Sequence, residues 1–311
     1  MPTMTVMELL VDLYAPLRGL NDRSIVLYRG TIDRLREFLE REPVVDDLTD
    51  LVVAKFLAAR LRSKNRGRVI SPATVRKDQA HLNCLATFAV KRGITKSWLM
   101  VAPVKVAQKI PSAYTIDDIT AIVLRARKRR GTVGSVPAKW FWPTLVKLCF
   151  FTGERISSVL ALTWADIDLG KGTVLFPGER RKGKSRDILR PIPPDLVDEL
   201  RAHAGEPLGR VFPWDRLHLS IYNSLRALVR QAGVVPRGFH GLRKSAASYV
   251  AAGGGDASVF LAHENPRLAR KYYIDPRIAG IPSSLHLLPS VDPPPPAPES
   301  PEVLPFARRP A

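Results

Sequence analysis

Residues 164–193 read WADIDLGKGTVLFPGERRKGKSRDILRPIP, and here the spacing of apolar residues changes from helical to alternating. Three segments predict short strands: 165–169, 172–176 and 188–192. Gly170-Lys171 is a tight connection between the first two, and 178–187 (GERRKGKSRD) is a longer, strongly basic connection between the second and third. On both sides of this stretch the period returns to that of a helix. The expected fold class is therefore mainly α with a small antiparallel β-sheet.

Upstream, the pattern is helical almost throughout from Val6 to about Val104. Leu27, Ile32, Leu35, Phe38 and Leu39 recur at three-to-four spacing, and Leu51, Val52, Phe56, Leu57 and Leu61 do the same in the next helix. A basic break at 65–68 (NRGR) is followed by Ser71-Pro72, an N-cap with proline at the first helical turn. The helix this opens carries Arg76, Lys77, His81, Leu82, Leu85 and Phe88. Residues 102–113, with prolines near both ends, read as a linker. Helices are then expected over 116–129, 140–151, 194–203, 218–232, 240–252 and 255–272. After Ile281 the composition turns to proline and small residues, too poor in apolar side chains to offset the entropy of ordering. The expected organisation is a helical bundle over 1–107, a second domain over 112–281 and a disordered, proline-rich tail over 282–311.

Charge points to the partner. The chain carries 48 Lys and Arg against 29 Asp and Glu, a net +19. Such an excess favours a polyanion, because binding a phosphate backbone releases condensed counterions. Basic ribosomal and membrane-surface proteins share that composition, so charge alone leaves the choice open. Two cysteines, Cys84 and Cys149, are too few for a disulfide framework and are expected to be small buried hydrophobes. The start MPTMTVMELLVDLY has acids where a secretory signal has bases, and no apolar run reaches membrane-spanning length. A cytoplasmic, DNA-associated protein with no membrane partner is the expectation.

Four short signals carry chemistry, and each alone has an ordinary explanation. Arg155, in Thr152-Gly153-Glu154-Arg155-Ile156-Ser157, follows a buried helix; most such arginines are surface ion-pair residues. Lys182 and Lys184 lie near the tip of the basic hairpin, where solvated charge is the usual reading. His240 and Arg243 stand three apart on one helix face, about 5–6 Å between Cβ atoms, in a first turn whose free amides also favour a phosphate. His263 is followed nine residues later by Tyr272, with Tyr273 beside it; a tyrosine pair ending a basic helix is more often core packing.

Taken in order, Arg, Lys, His-x-x-Arg, His and Tyr resemble the tyrosine recombinases, the family of the lambdoid phage integrases and the Xer-type dimer resolvases. The likeness of motifs covers about 145 to 275, and the upstream bundle matches only in layout. The resemblance implies a SAM-like helical core-binding domain followed by a catalytic domain that cleaves and rejoins DNA through a covalent 3′-phosphotyrosine. It implies Arg155 and Arg243 on the phosphate oxygens, His263 as a further donor, His240 as proton acceptor or orienting group, Lys182 (with Lys184 the alternative) as proton donor to the leaving oxygen, and Tyr272 as nucleophile by its spacing. It implies no cofactor and no metal, and double-stranded DNA bound by a homotetramer on paired sites. Helical neighbours point about 100° apart, so only one of Tyr272 and Tyr273 can face the phosphate.

Three positions depart from the family pattern. Ser158 stands where an acid usually supports the first arginine, Ala262 replaces a glycine, and Lys244 follows Arg243 where histidine is common. Rival readings are a type IB topoisomerase, a DNA-binding protein that has lost catalysis, and an RNA-binding protein; the last lacks an aromatic RNP-like segment.

Overall fold

The computed structural model describes residues 4–65, 67–181, 186–262 and 265–281. It divides into two compact units, Met1–Lys109 and Ile110–Ala311.

The first unit is a helical bundle. Its opening segment, Val6–Leu17, starts on a reciprocal cap between Thr5 and Glu8 and includes a wide-turn stretch at Leu9–Tyr14. The helices Asp22–Leu39, Asp50–Arg62 and Pro72–Lys91 follow, capped by Asn21, Thr49 and Ser71. Each capping oxygen accepts a backbone N–H of the first turn that would otherwise lack an acceptor. The core gathers Leu9, Leu10, Ile32, Leu35, Val53, Phe56, Leu82 and Leu85. The apolar faces are narrower than the sequence pattern suggests. Leu27, Leu51 and Leu61 point outward, and Asp50–Arg62 buries Val53, Phe56 and Leu57 instead. Cys84, expected inside, is exposed. Beyond the last helix, the side-chain amide of Gln79 donates to the carbonyls of Val101 and Ala102, and its oxygen accepts from the amide of Val104. The start of the expected linker is thereby tied to this unit.

The second unit is built around the helix Ala138–Thr152, which is buried nearly all round. Its Trp140, Phe141, Trp142, Leu145, Val146 and Leu148 form the centre of the core with Phe212, Leu225, Leu228 and Phe239. Cys149 lies in the same core, and burial pushes its thiol pKa up. The antiparallel sheet appears where expected, with shorter strands: Ile167–Asp168, Thr173–Phe176 and Ile188–Pro191, paired in that order. Ala165 and Asp166, expected in the first strand, lie instead in a 3₁₀ turn, Trp164–Asp166, because the Asp166 carboxylate reaches back to the amide and hydroxyl of Thr163. The carboxylate of Asp168 accepts both turn amides, Gly170 and Lys171, which closes the first hairpin.

The helix expected over 255–272 is two helices, Ala257–Phe260 and Pro266–Tyr272. Ala262 takes a left-handed φ of 52°, which ends the first. Asn265 caps the second and Pro266 opens it, so a continuous helix is excluded on both sides of the break. The expected tail over 282–311 lies outside the described residues.

Candidate active site

Gly153, the residue after the core helix, adopts φ +62°, and a Cβ there would lie 2.4 Å from the ring of Phe260. The chain can turn here, under that ring, only as glycine. The turn delivers Glu154 inward and Arg155 outward. Arg155 is the extended residue before the short helix Ile156–Leu160, and its side chain is half-buried.

The helix Gly238–Ala252 supplies the second arginine. Its start is seated on Tyr114: a Cβ on Gly241 would come within 2.6 Å of that ring, and the Tyr114 hydroxyl accepts the Arg237 amide at 2.6 Å. His240 and Arg243 then project from one face. Arg243 is 1% exposed, yet one guanidinium nitrogen donates to the carbonyl of Gly153 and another to that of Leu261 at 3.0 Å. Burial lowers its pKa; the Glu154 carboxylate opposes that shift and the Arg155 guanidinium adds to it. The two family-type arginines, 88 positions apart in sequence, are thus near enough to repel each other.

The tyrosines separate cleanly. Tyr272, the last residue of its helix, is 49% exposed, and its ring lies 5.2 Å from the ammonium of Lys271. Tyr273 turns inward. It is hydrogen-bonded to Arg243, whose Cζ lies 5.4 Å from the ring centroid, and the ring of His240 is 4.9 Å away. Counting from His263 favours Tyr272; the structure brings Tyr273, not Tyr272, to the arginine and the histidine. The reason is local. Tyr273 follows the end of the helix, where the Ser248 hydroxyl donates to its carbonyl at 3.3 Å and the Asp275 amide donates to Ser248 at 2.8 Å. These contacts hold the backbone against the helix Gly238–Ala252.

Lys182, Lys184 and His263 lie outside the described residues. The base of the basic hairpin is described. Arg181 donates to the carbonyl of Arg186 at 3.2 Å, and the Gly178 amide donates to Asp187 at 2.8 Å. Sequence reading passed over three residues at this site. Glu154, with its side chain wholly buried, pairs with Arg181 at 3.3 Å and with Arg190 at 3.8 Å. Arg190, in the third strand, also donates to the carbonyl of Phe260. Glu154 is the x of the TGxR box and Arg181 sits inside a run of basic residues, so neither stood out from its neighbours. Among the described residues no group of three or more His, Cys, Asp or Glu side chains could hold a metal ion, and no helix is long and apolar enough to cross a membrane.

The chemistry this arrangement offers is recognition of a compact anion. The Arg155 and Arg243 guanidiniums are near enough to feel each other's charge, a phenol lies against the second of them, and an imidazole packs on that phenol.

Comparison with known proteins agrees. The family model for the phage integrase family matches residues 135–277. A putative tyrosine recombinase XerC of Pseudomonas syringae is 26% identical over 132 residues, which span 39% of this chain and only 27% of that protein. The tyrosine recombinase XerD of Mycobacterium tuberculosis is 24% identical over 266 residues, covering 78% of this chain and 83% of the relative. Among solved structures, a lambda integrase dimer bound to a COC′ core site superposes with a TM-score of 0.66 at 18% identity, over 88% of this chain and 78% of that one. The Tn1549 transposon integrase in complex with transposon right end DNA gives 0.64 at 14% identity, over 86% and 95%. At these identities the solved structures speak for the fold, while the family model and the Xer relatives carry the kinship. Residues 135–277 thus match the phage integrase family, and most of the chain is similar to a Xer tyrosine recombinase, one of a family of DNA breaking-rejoining enzymes.

Proposed function

We propose that this protein recombines double-stranded DNA at specific sites through a 3′-phosphotyrosyl intermediate, with Tyr273 as the nucleophile. One observation carries the assignment: the phenol of Tyr273 is hydrogen-bonded to the buried guanidinium of Arg243 and packed on His240, with Arg155 close by. A phosphodiester gripped by Arg155 and Arg243 would lie within reach of that phenol.

The steps follow from charge. The phosphate repels nucleophiles, and its transition state spreads further negative charge over the non-bridging oxygens, which the two guanidiniums stabilise. His240 takes the phenolic proton as the Tyr273 oxygen bonds to phosphorus and the P–O5′ bond breaks. Lys182, by family resemblance, gives the 5′-oxygen its proton, and His263 adds a donor to the phosphate. The ester energy is kept in the phosphotyrosine, so a 5′-hydroxyl from a partner duplex rejoins the strand with no ATP. Exchange between two duplexes needs four such sites, which implies a homotetramer on paired sites. The protein acts on cytoplasmic DNA.

The nucleophile is tested on nicked duplexes carrying a site that the protein itself selects from a random-sequence pool. Trapping the covalent adduct should give none with Tyr273→Phe and a normal yield with Tyr272→Phe. The reverse pattern returns the role to Tyr272.

A further inference from the structure

Two arginines, Arg181 and Arg190, pair with one buried carboxylate, Glu154, whose charge also reaches Arg243. Arg155 and Arg243 carry the phosphate contacts proposed above; Arg181 is 7% exposed, and the Arg190 side chain is 13% exposed. Glu154 is the carboxylate that Arg181 and Arg190 share. Its Oε1 faces Arg181 and Arg190, and its charge supports the protonated state of Arg243. Its Oε2, although buried, has no hydrogen-bond partner within the described residues, and the Nε atoms of Arg181 and Arg190 have none either. One negative charge among several buried positive ones is a frame with cation in excess, the condition a phosphate would relieve.

Its neighbour in sequence shows what it replaces. Ser158, one helical turn further on, stands where the family pattern has an acid, and it is buried. Beside it is a small cleft lined by Ala161, Phe176, Arg180 and Arg181. An acid at 158 would therefore share a cleft with Arg181, the guanidinium that Glu154 pairs with.

We infer that Glu154 is the positioning residue of the phosphate site, and that it takes over in this chain the support an acid at 158 would give. It acts through other groups. By pinning Arg181 and Arg190 and offsetting the charge around Arg243, it fixes the guanidiniums before the substrate arrives. The inference rests on the recombinase reading but adds a residue and a means of support that the reading does not require.

The test compares single-turnover cleavage of two nicked duplexes on the pool-selected site, one with the normal scissile phosphodiester and one with a methylphosphonate there. The methylphosphonate lacks the charged non-bridging oxygen, so alignment of the guanidiniums matters far less to it. Misalignment by about an ångström costs on the order of 100-fold in rate, and Glu154→Gln should lose about that on the phosphodiester and far less on the methylphosphonate. Equal losses on both substrates, or no loss on the phosphodiester, overturn the inference. Should Glu154→Gln fail to fold, Glu154→Leu combined with Ser158→Glu carries the test. Cleavage of the phosphodiester by that double variant supports the proposal, and a folded double variant that does not cleave it overturns it. Wild-type protein is the control for the underlying reading: no adduct from wild type sinks the recombinase assignment, whereas wild type and Glu154→Gln cleaving alike sinks only the role of Glu154.

Discussion

In each unit of this protein a buried carboxylate is shared by two arginines, Asp78 in the first and Glu154 in the second, and the two clusters are finished differently. In the first unit, Asp78 accepts from Thr31 at 3.0 Å and Arg34 at 2.6 Å through one oxygen, and from Arg60 at 3.3 Å through the other. Both oxygens are taken by side chains from two other helices. In the second unit, Glu154 uses one oxygen, and its arginines turn instead to the carbonyls of Gly153, Leu261, Phe260 and Arg186. Carbonyls satisfy donors without cancelling charge. The first cluster is closed and ties helices of the bundle together; the second keeps an excess of positive charge, as the proposed phosphate site requires.

The contrast predicts where a lost charge is felt as stability. Asp78→Asn removes the negative charge that two guanidiniums share inside the bundle and replaces one acceptor oxygen by a donor, and breaking a buried pair of this kind costs about 3 kcal/mol. Hydrogen exchange on the full-length protein should show the amides of Asp22–Leu39, Asp50–Arg62 and Pro72–Lys91 losing protection together. Unchanged protection would mean that the cluster is a surface feature and that the comparison fails.

The difference between the clusters also marks how far the sequence could be read. The helical bundle, the three strands and the break at 102–113 were legible because periodicity, caps and prolines are local signals. Arg155, His240 and Arg243 were legible as a spaced pattern. Glu154 was not, since its meaning depends on Arg181 and Arg190 arriving from a hairpin 27 or more positions away. That Tyr273 rather than Tyr272 lies against Arg243 and His240 was not, since this is set by how the chain leaves its helix and by bonds from Ser248, which spacing does not encode. The division of 255–272 into two helices was visible in Asn265-Pro266, yet the basic and apolar pattern running through it favoured continuity.

The second cluster carries backbone strain as well. Leu261, whose carbonyl receives Arg243, is followed by Ala262 at φ 52°, a left-handed conformation that favours glycine. Ala262→Gly removes the Cβ penalty and should stabilise the second unit by about 1 kcal/mol, read as greater protection of the amides in Gly238–Ala252. A loss of protection would mean that the methyl group packs well enough to outweigh the strain.

The smallest expected effect belongs to the closed cluster and has a sign that can be checked. His81 stacks on Tyr28 at 4.2 Å and lies 2.8 Å from the Thr31 hydroxyl that bonds Asp78. Burial lowers its pKa from the ordinary 6.5; Lys77 and Arg34 push the same way, and Asp78 opposes them. The unfolded chain therefore binds this proton more readily than the folded one. The stability that His81 contributes is whole above its unfolded pKa and drains away as pH falls below it. Protection in Pro72–Lys91 should weaken between about pH 7 and about pH 5, with a shallower slope in His81→Gln. Parallel slopes in the two proteins would mean that the imidazole titrates alike folded and unfolded, and that the first cluster tolerates a further positive charge as the second one does.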